Sequence, residues 1–359
     1  MQQVLAGRKF SGDGSFTRHC EQFFEQKYGF GKALLTTSCT DALEMASLLL
    51  NIQPGDEVIM PSYTFVSTAN AFALRGAKIV FADSCSDHPN IDAKQVAQLI
   101  TSRTKAIVVV HYAGMACDMD AITDLARANN IPIVEDAAHA IDATYKGKAL
   151  GSIGSIGTMS FHETKNITCG EGGLITVNLQ ALREKAEVVR EKGTNRKAFS
   201  RGESDRYSWV DLGSSFLPSE FTASILAAQI DQLADVQAKR NLLWNRYHEN
   251  LRSLANEGKV AQCVVPDGAS INGHMYFMLC KSMEERSALM KYLLEHEIDA
   301  VFHYLSLHSS PYFGKHHDGR ALPNSDRFMY TLLRLPMYYD LEMADVDRVC
   351  ETIHKFYQR

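Results

Sequence analysis

Residues 159–173 read MSFHETKNITCGEGG, and the fold turns on how this stretch is understood. Lys165 stands between a short apolar run ending at Ser160-Phe161 and a glycine-rich turn, Gly170-Glu171-Gly172-Gly173. A lysine in such a place is more often a solvated surface group. The glycines argue for something closer, because a residue without Cβ lets backbone approach a partner tightly. Ser160 lies upstream of Lys165, where a turn brings its hydroxyl back towards the ammonium. An amine of lowered pKa beside hydrogen-bond donors is what a phosphate-bearing carbonyl compound needs in order to be held as a Schiff base.

Upstream of this stretch, apolar strands alternate with amphipathic helices. Strands are expected at Ala33–Leu35, Glu57–Met60, Lys78–Ala82, Ala106–His111 and Ile131–Val134. Between them, Phe16, Cys20, Phe23 and Phe24 share one helical face, as do Leu43, Ala46, Leu49 and Leu50. Further helices are expected over Ala69–Leu74, Ala93–Ile100 and Met119–Asn130. This alternation predicts an α/β fold with a mostly parallel sheet and helices on both sides. In open sheets of this kind a ligand gathers at the carboxyl ends of the strands. Cys39-Thr40, Phe65, Asp136 and Ser160 each fall just after a predicted strand, which points to one shared site. Ser38 is the expected N-cap of its helix, leaving the amides of Cys39 and Thr40 at the positive end of the dipole, where a phosphate would sit. An ordinary capped helix is the plainer account of the same residues.

Asp136 has two readings. It caps the segment that follows, or it faces the ring nitrogen of a pyridine cofactor and keeps it protonated, so that the ring accepts electrons. His139 would share that face and reach the ring's phenolic oxygen, and Phe65 is either core or a stacking partner. Gly193 to about Arg206 is a polar, basic loop, either merely solvated or, through Arg196 and Arg201, a clamp for an anion. His303, His308, His316 and His317 lie among tyrosines with no companion spacing that closes a coordination shell, so no metal is expected.

Helices are expected over Phe221–Leu233 and Gln237–Leu254, the second long enough to join two domains. From about Gly258 short strands (Val260–Val265, Tyr276–Cys280, Ala300–His303) alternate with helices (Glu284–His296, Met343–Tyr357), as in a smaller C-terminal α+β domain. The expected division is a large domain over 1–240 and a small one over 241–359.

The chain has 359 residues and a formal net charge of −5, which weighs against a nucleic-acid surface. No apolar run is long enough to cross a bilayer, and MQQVLAGRKFSGDG at the N-terminus has no signal-peptide core. Eight scattered cysteines without a CxxC pair suggest reduced thiols in a cytoplasm.

Thr36–Leu43, Pro61–Phe65, Glu135–His139, Ser160–Asn166 and Gly170–Gly173 together resemble the nucleotide-sugar aminotransferases of the DegT/AHBA-synthase family, which are fold-type-I pyridoxal phosphate enzymes. The resemblance covers nearly the whole chain and extends to His303–His308. It implies that Lys165 forms the Schiff base and later shuttles a proton. It further implies that Asp136 pairs with the ring nitrogen, His139 sits by the phenolic oxygen, Phe65 stacks on the ring, and Cys39, Thr40 and Ser160 hold the phosphate. L-glutamate would donate the amino group and a TDP-4-oxo-6-deoxyhexose would receive it, gripped by Arg196, Arg201, Tyr304 and His308. A homodimer with shared active sites is implied.

Three departures from the family pattern stand out. The segment before the glycine turn at 11–14 is shorter than in relatives. Gly213-Ser214-Ser215-Phe216-Leu217 replaces an Asn-aromatic-Arg or Asn-Met step that reaches the neighbour's phosphate, so Ser215 would serve there. Ser306 stands where a proline is usual. Two other functions fit less well. A sugar dehydratase of the same fold typically replaces the lysine with histidine, and a non-catalytic cofactor sensor has no need of Lys165.

Overall fold

Alternate residues of each central strand enter two different apolar cores. Ile59, Ile107, Val109 and Leu174 face one core, whereas Val58, Met60, Ala106, Val108 and Ile175 face the other. This is the period of two that a strand imposes, on a sheet covered on both faces. Apart from Ala106, each of these side chains contributes roughly 1.5–3 kcal/mol through burial.

The computed structural model describes residues 1–359. Seven strands form the central sheet: β1 (Ala33–Thr36), β2 (Glu57–Pro61), β3 (Lys78–Ala82), β4 (Thr104–Val110), β5 (Ile133–Asp136), β6 (Ile156–Ser160) and β7 (Gly173–Val177). They lie in the order β1-β7-β6-β5-β4-β2-β3. Strands β2 to β6 pair in parallel, and β7 alone runs against its neighbours β1 and β6. The expected α/β architecture is therefore present, with shifted element ends. The strand read over 131–134 runs Ile133–Asp136, which places Asp136 at its last position.

Helix Ser15–Tyr28 begins at Gly14, which has no side chain to cap it. Glu220 does so from a distance. One of its buried carboxylate oxygens accepts the amides of Gly14 (2.9 Å) and Thr17 (3.1 Å), and the other accepts that of Phe16 (2.9 Å). A carboxylate at this end of a helix also meets the positive end of the dipole.

The smaller sheet comprises β8 (Ala261–Gln262), β9 (Tyr276–Leu279) and β10 (Leu332–Leu335), antiparallel and in that order. The strand expected over 300–303 is absent. Only Val301 bridges to Arg334, and β10 provides the third strand. The chain leaves the sheet there because the next residues, His303 and Tyr304, turn into the cavity described below. Leu243, Trp244, Tyr247, Phe328 and Ile353 build the small core, and Tyr63, Tyr112 and Met115, which follow strands β2 and β4 of the central sheet, join it. Helix Leu233–Asn250 contributes Leu233 to the core of the central sheet and Leu243, Trp244 and Tyr247 to the small core, with Arg240 donating to the carbonyls of Gly273 (3.0 Å) and His274 (2.9 Å). No helix is long and apolar enough to cross a membrane, and all eight cysteines are free.

Candidate active site

A cavity of about 750 Å³ opens where β4, β5 and β6 end and Phe302, His303, Tyr304 and Leu305 face them. Val110, Asp136 and Ser160, the last residues of those three strands, line it. Two helices, Cys39–Leu49 and Val66–Ala73, start at the same wall, contributing Ser38, Cys39, Thr40, Phe65 and Ser67. Ser38 Oγ accepts the Asp41 amide at 3.0 Å, as an N-cap should, and the hydroxyls of Thr40 and Ser67 meet at 2.8 Å. Two adjacent helix N-termini make this wall locally positive and suited to an anion. Gly173 lets β7 run beneath them. A Cβ there would stand 2.4 Å from the Ser38 carbonyl oxygen and 2.5 Å from the Cys39 nitrogen.

Asp136 is buried and held from two sides. The Thr68 hydroxyl donates to one oxygen at 2.7 Å and the Ala138 amide to the other at 3.2 Å. Burial raises its pKa above the ordinary carboxylate value, against the opposing pull of Thr68, Ala138 and Lys165. Its neighbour Glu135 points to the other face of the sheet. There it accepts the Gly151 and Ile153 amides (2.8 and 2.7 Å) and pairs with His111 at 2.9 Å. Adjacent acids on one strand thus divide the work, one pinning a turn and the other serving the cavity.

Lys165 is half-buried, and that burial lowers its pKa to about 8, with Cys39 and Asp136 pulling upward and Arg334 pushing down. Near neutral pH a useful fraction of the amine is therefore unprotonated and nucleophilic. His139 is neutral, because burial drives its pKa well below the usual histidine value. Its Nδ1 accepts the Ala113 amide at 3.3 Å, so Nε2 carries the proton and faces the Tyr304 hydroxyl at 3.2 Å. Behind it His274 stacks at 4.4 Å between ring centroids, with Nδ1 2.9 Å from Asn166 Oδ1.

Lys165, Asp136, His139, Ser160, Cys39, Thr40, Phe65 and Tyr304 all line this one cavity. Four other residues singled out from the sequence lie elsewhere in the chain. Arg196 approaches Glu191 at 3.5 Å, Arg201 pairs with Glu187 and Glu203 at 2.8 Å each, and both arginines are solvent-exposed. Ser215 is exposed and forms a backbone bridge with Glu191. His308 is buried, with Nδ1 2.7 Å from the Ser62 hydroxyl and Nε2 3.4 Å from Asp326. Nothing in the sequence singles out Thr68, and sequence reasoning assigned no role in the site to Glu135, Asn166 or His303, the last considered there only as a metal ligand. Strand alternation alone separates Glu135 from Asp136, whereas Thr68 and His303 carry no local signal.

The profile of the DegT/DnrJ/EryC1/StrS aminotransferase family matches residues 1–354. The chain belongs to this family. A protein of Methanocaldococcus jannaschii is 32% identical over 350 residues, covering 95% of this chain and 90% of its own. The aminotransferase TlmJ from Streptoalloteichus hindustanus superposes with a TM-score of 0.91 at 29% identity, over 99% of this chain and 94% of TlmJ. Spr1654 of Streptococcus pneumoniae, solved in PLP and PMP forms, is 25% identical, with a TM-score of 0.90 for the PMP form over 99% and 95% of the two chains. This aminotransferase uses pyridoxal phosphate, and its cavity fits that group. Lys165 would offer the amine, buried Asp136 would pair with a protonated ring nitrogen, and the two helix N-termini above Gly173 would cradle the phosphate.

Proposed function

We propose that the enzyme transfers the amino group of L-glutamate to a TDP-4-oxo-6-deoxyhexose, giving TDP-4-amino-4,6-dideoxy-D-galactose for surface polysaccharide such as enterobacterial common antigen. The observation that carries this reading is the placement of Lys165, with its pKa near 8, and buried Asp136 in one cavity closed by Tyr304 of the small domain. Gln53–Phe65, His111–Asp118, Arg190–Arg196 and Leu332–Leu335 add to it through their similarity to the transaminase that makes this amino sugar.

Pyridoxal phosphate supplies an electron sink conjugated to the reacting carbon. Lys165 would hold it through its amine and would move a proton at that carbon. Asp136 would keep the ring nitrogen protonated, and His139, a neutral donor, would serve the phenolic oxygen. The amides at Cys39 and Thr40 and the Ser160 hydroxyl would hold the phosphate. Phe65 and Leu305, which line the same cavity, would help to exclude water.

We place the enzyme in the cytoplasm as a homodimer. Phe199, Tyr207, Trp209, Val210 and Leu212 form an exposed apolar patch, with Trp209 76% exposed, on the segment that carries Arg196, Arg201 and Ser215. A patch of this kind favours burial against a partner. In the dimer this segment would bring Ser215 to the second copy's phosphate and Arg196 and Arg201 to its nucleotide sugar, which Tyr304 and His308 would help to position.

The test is an absorbance spectrum of purified protein, taken before and after glutamate and then after TDP-4-oxo-6-deoxyglucose. The visible band should bleach with glutamate and return with the keto sugar, and NMR of the product should show an axial amine at carbon 4. No response to glutamate would refute the donor. An amine at carbon 3, or an equatorial one at carbon 4, would reassign the product.

A further inference from the structure

In strand β10 Leu332, Leu333 and Leu335 are buried in the small core, and Arg334 is the one half-buried residue. The backbone of Arg334 is held on both sides, in register with Phe277 of β9 and by bonds of 2.7 and 3.1 Å to Val301. This places its guanidinium against the segment that delivers His303 to the cavity. Nη1 donates to His303 Nδ1, and Nε is buried with no hydrogen-bond partner. Its charge bears on Lys165, Arg240, His139 and His274 and on the phenols of Tyr112 and Tyr304, with no carboxylate among them.

A guanidinium has donors only and does not give up its proton in a protein. The nitrogen it faces must therefore accept, which leaves the His303 ring neutral with its single proton on Nε2. We infer that Arg334 is a positioning residue that locks His303, in the cavity wall, as a neutral Nε2–H donor for an oxygen of the bound substrate. This rests on the transaminase reading for the substrate, but not for the lock itself.

The surroundings of His303 agree. Arg334 faces it from β10 and Lys165 from the turn after β6, while the hydroxyls of Tyr63 and Tyr112 donate to its carbonyl and the Tyr304 ring stacks at 5.1 Å. Burial, then Arg334, then Lys165 bring its pKa down to about 4. The lock has a chemical use. A nucleotide diphosphate sugar carries negative charge, which raises the pKa of a nearby imidazole and favours its protonation. Arg334 opposes that rise and keeps one donor, in one direction, at every working pH.

The experiment is nitrogen NMR of the holoenzyme labelled with ¹⁵N-histidine, with His303 assigned by its loss in His303→Gln. We expect protonated Nε2, bare Nδ1 and no titration between about pH 8 and pH 5. A proton on Nδ1, or a midpoint near the ordinary ~6.5, would overturn the proposal. In Arg334→Met the His303 midpoint should move up towards ~6.5 and, above it, the single Nε2–H form should give way to a mixture of Nε2–H and Nδ1–H, because nothing then obliges Nδ1 to accept. Arg334→Lys, which keeps a cationic donor, should hold the midpoint down and Nδ1 bare. A His303 that in Arg334→Met still shows a bare Nδ1 and no titration down to about pH 5 would mean a merely structural arginine. If Arg334→Met does not fold, the wild-type spectrum decides alone. Because that spectrum needs no sugar, a failed lock and a failed substrate assignment are distinguishable.

Discussion

The Thr68 hydroxyl lies 2.7 Å from the Asp136 carboxylate, whose other oxygen takes the Ala138 amide at 3.2 Å, so that the acid is fixed before any ligand arrives. Its folded pKa is raised by burial. For an acid this sign means that stability is fully present below the unfolded value and is lost as pH rises through the folded one. The ionised form of Asp136 therefore burdens the fold. Asp136→Asn should lower kcat by about 100-fold or more, the scale of a preorganised electrostatic partner. The apoenzyme should melt no lower than wild type. Turnover and a thermal melt at neutral pH check the two halves, and a large loss of stability would contradict the second.

Lys165 provides a pH test. Only the neutral amine attacks a carbonyl, and burial brings its pKa to about 8. The rate at which apoenzyme takes up pyridoxal phosphate should therefore rise with pH and level off above that value. Stopped-flow absorbance reads it directly, and a midpoint near the free-lysine ~10.4 would show that burial does not lower the amine. Lys165→Ala should keep its fold and lose turnover by at least the roughly 10²–10⁴-fold that a positioned proton carrier supplies.

Glu220 caps helix Ser15–Tyr28 from the start of another helix. Glu220→Ala leaves the amides of Gly14, Phe16 and Thr17 without this acceptor. The expected destabilisation is about 2–4 kcal/mol, since bonds to a charged group and newly orphaned donors both count. Urea unfolding measures it, and a change under about 0.5 kcal/mol would mean that solvent replaces the cap.

Ser306 sits at φ −63° and ψ 125°, a conformation that proline adopts without strain. Its amide donates only to the Met329 sulfur, and its buried hydroxyl has no partner. Ser306→Pro should stabilise the protein by about 0.4–1 kcal/mol through the unfolded chain. A lower urea midpoint would instead expose a steric conflict with the residues packed around it.

Much of this protein is legible locally. Period-two burial in β2 and β4, the N-cap at Ser38, and the position of Asp136 and Ser160 at strand ends all follow from short-range rules, and together they mark the cavity. The lysine and its glycine turn belong to the same class, because β7 approaches Ser38 and Cys39 only where a side chain is missing.

What no local pattern carries is which distant groups meet. Glu220 reaches the 14–17 turn, Tyr304 reaches His139, and Arg334 reaches His303, each across a layer of packing. Arg196 and Arg201 look alike in sequence to an anion clamp, yet within one chain each is satisfied by acids of its own neighbourhood. A strand or helix is set by neighbours a few residues away. A hydrogen bond between layers is set by how whole elements stack, and only the tertiary structure decides that.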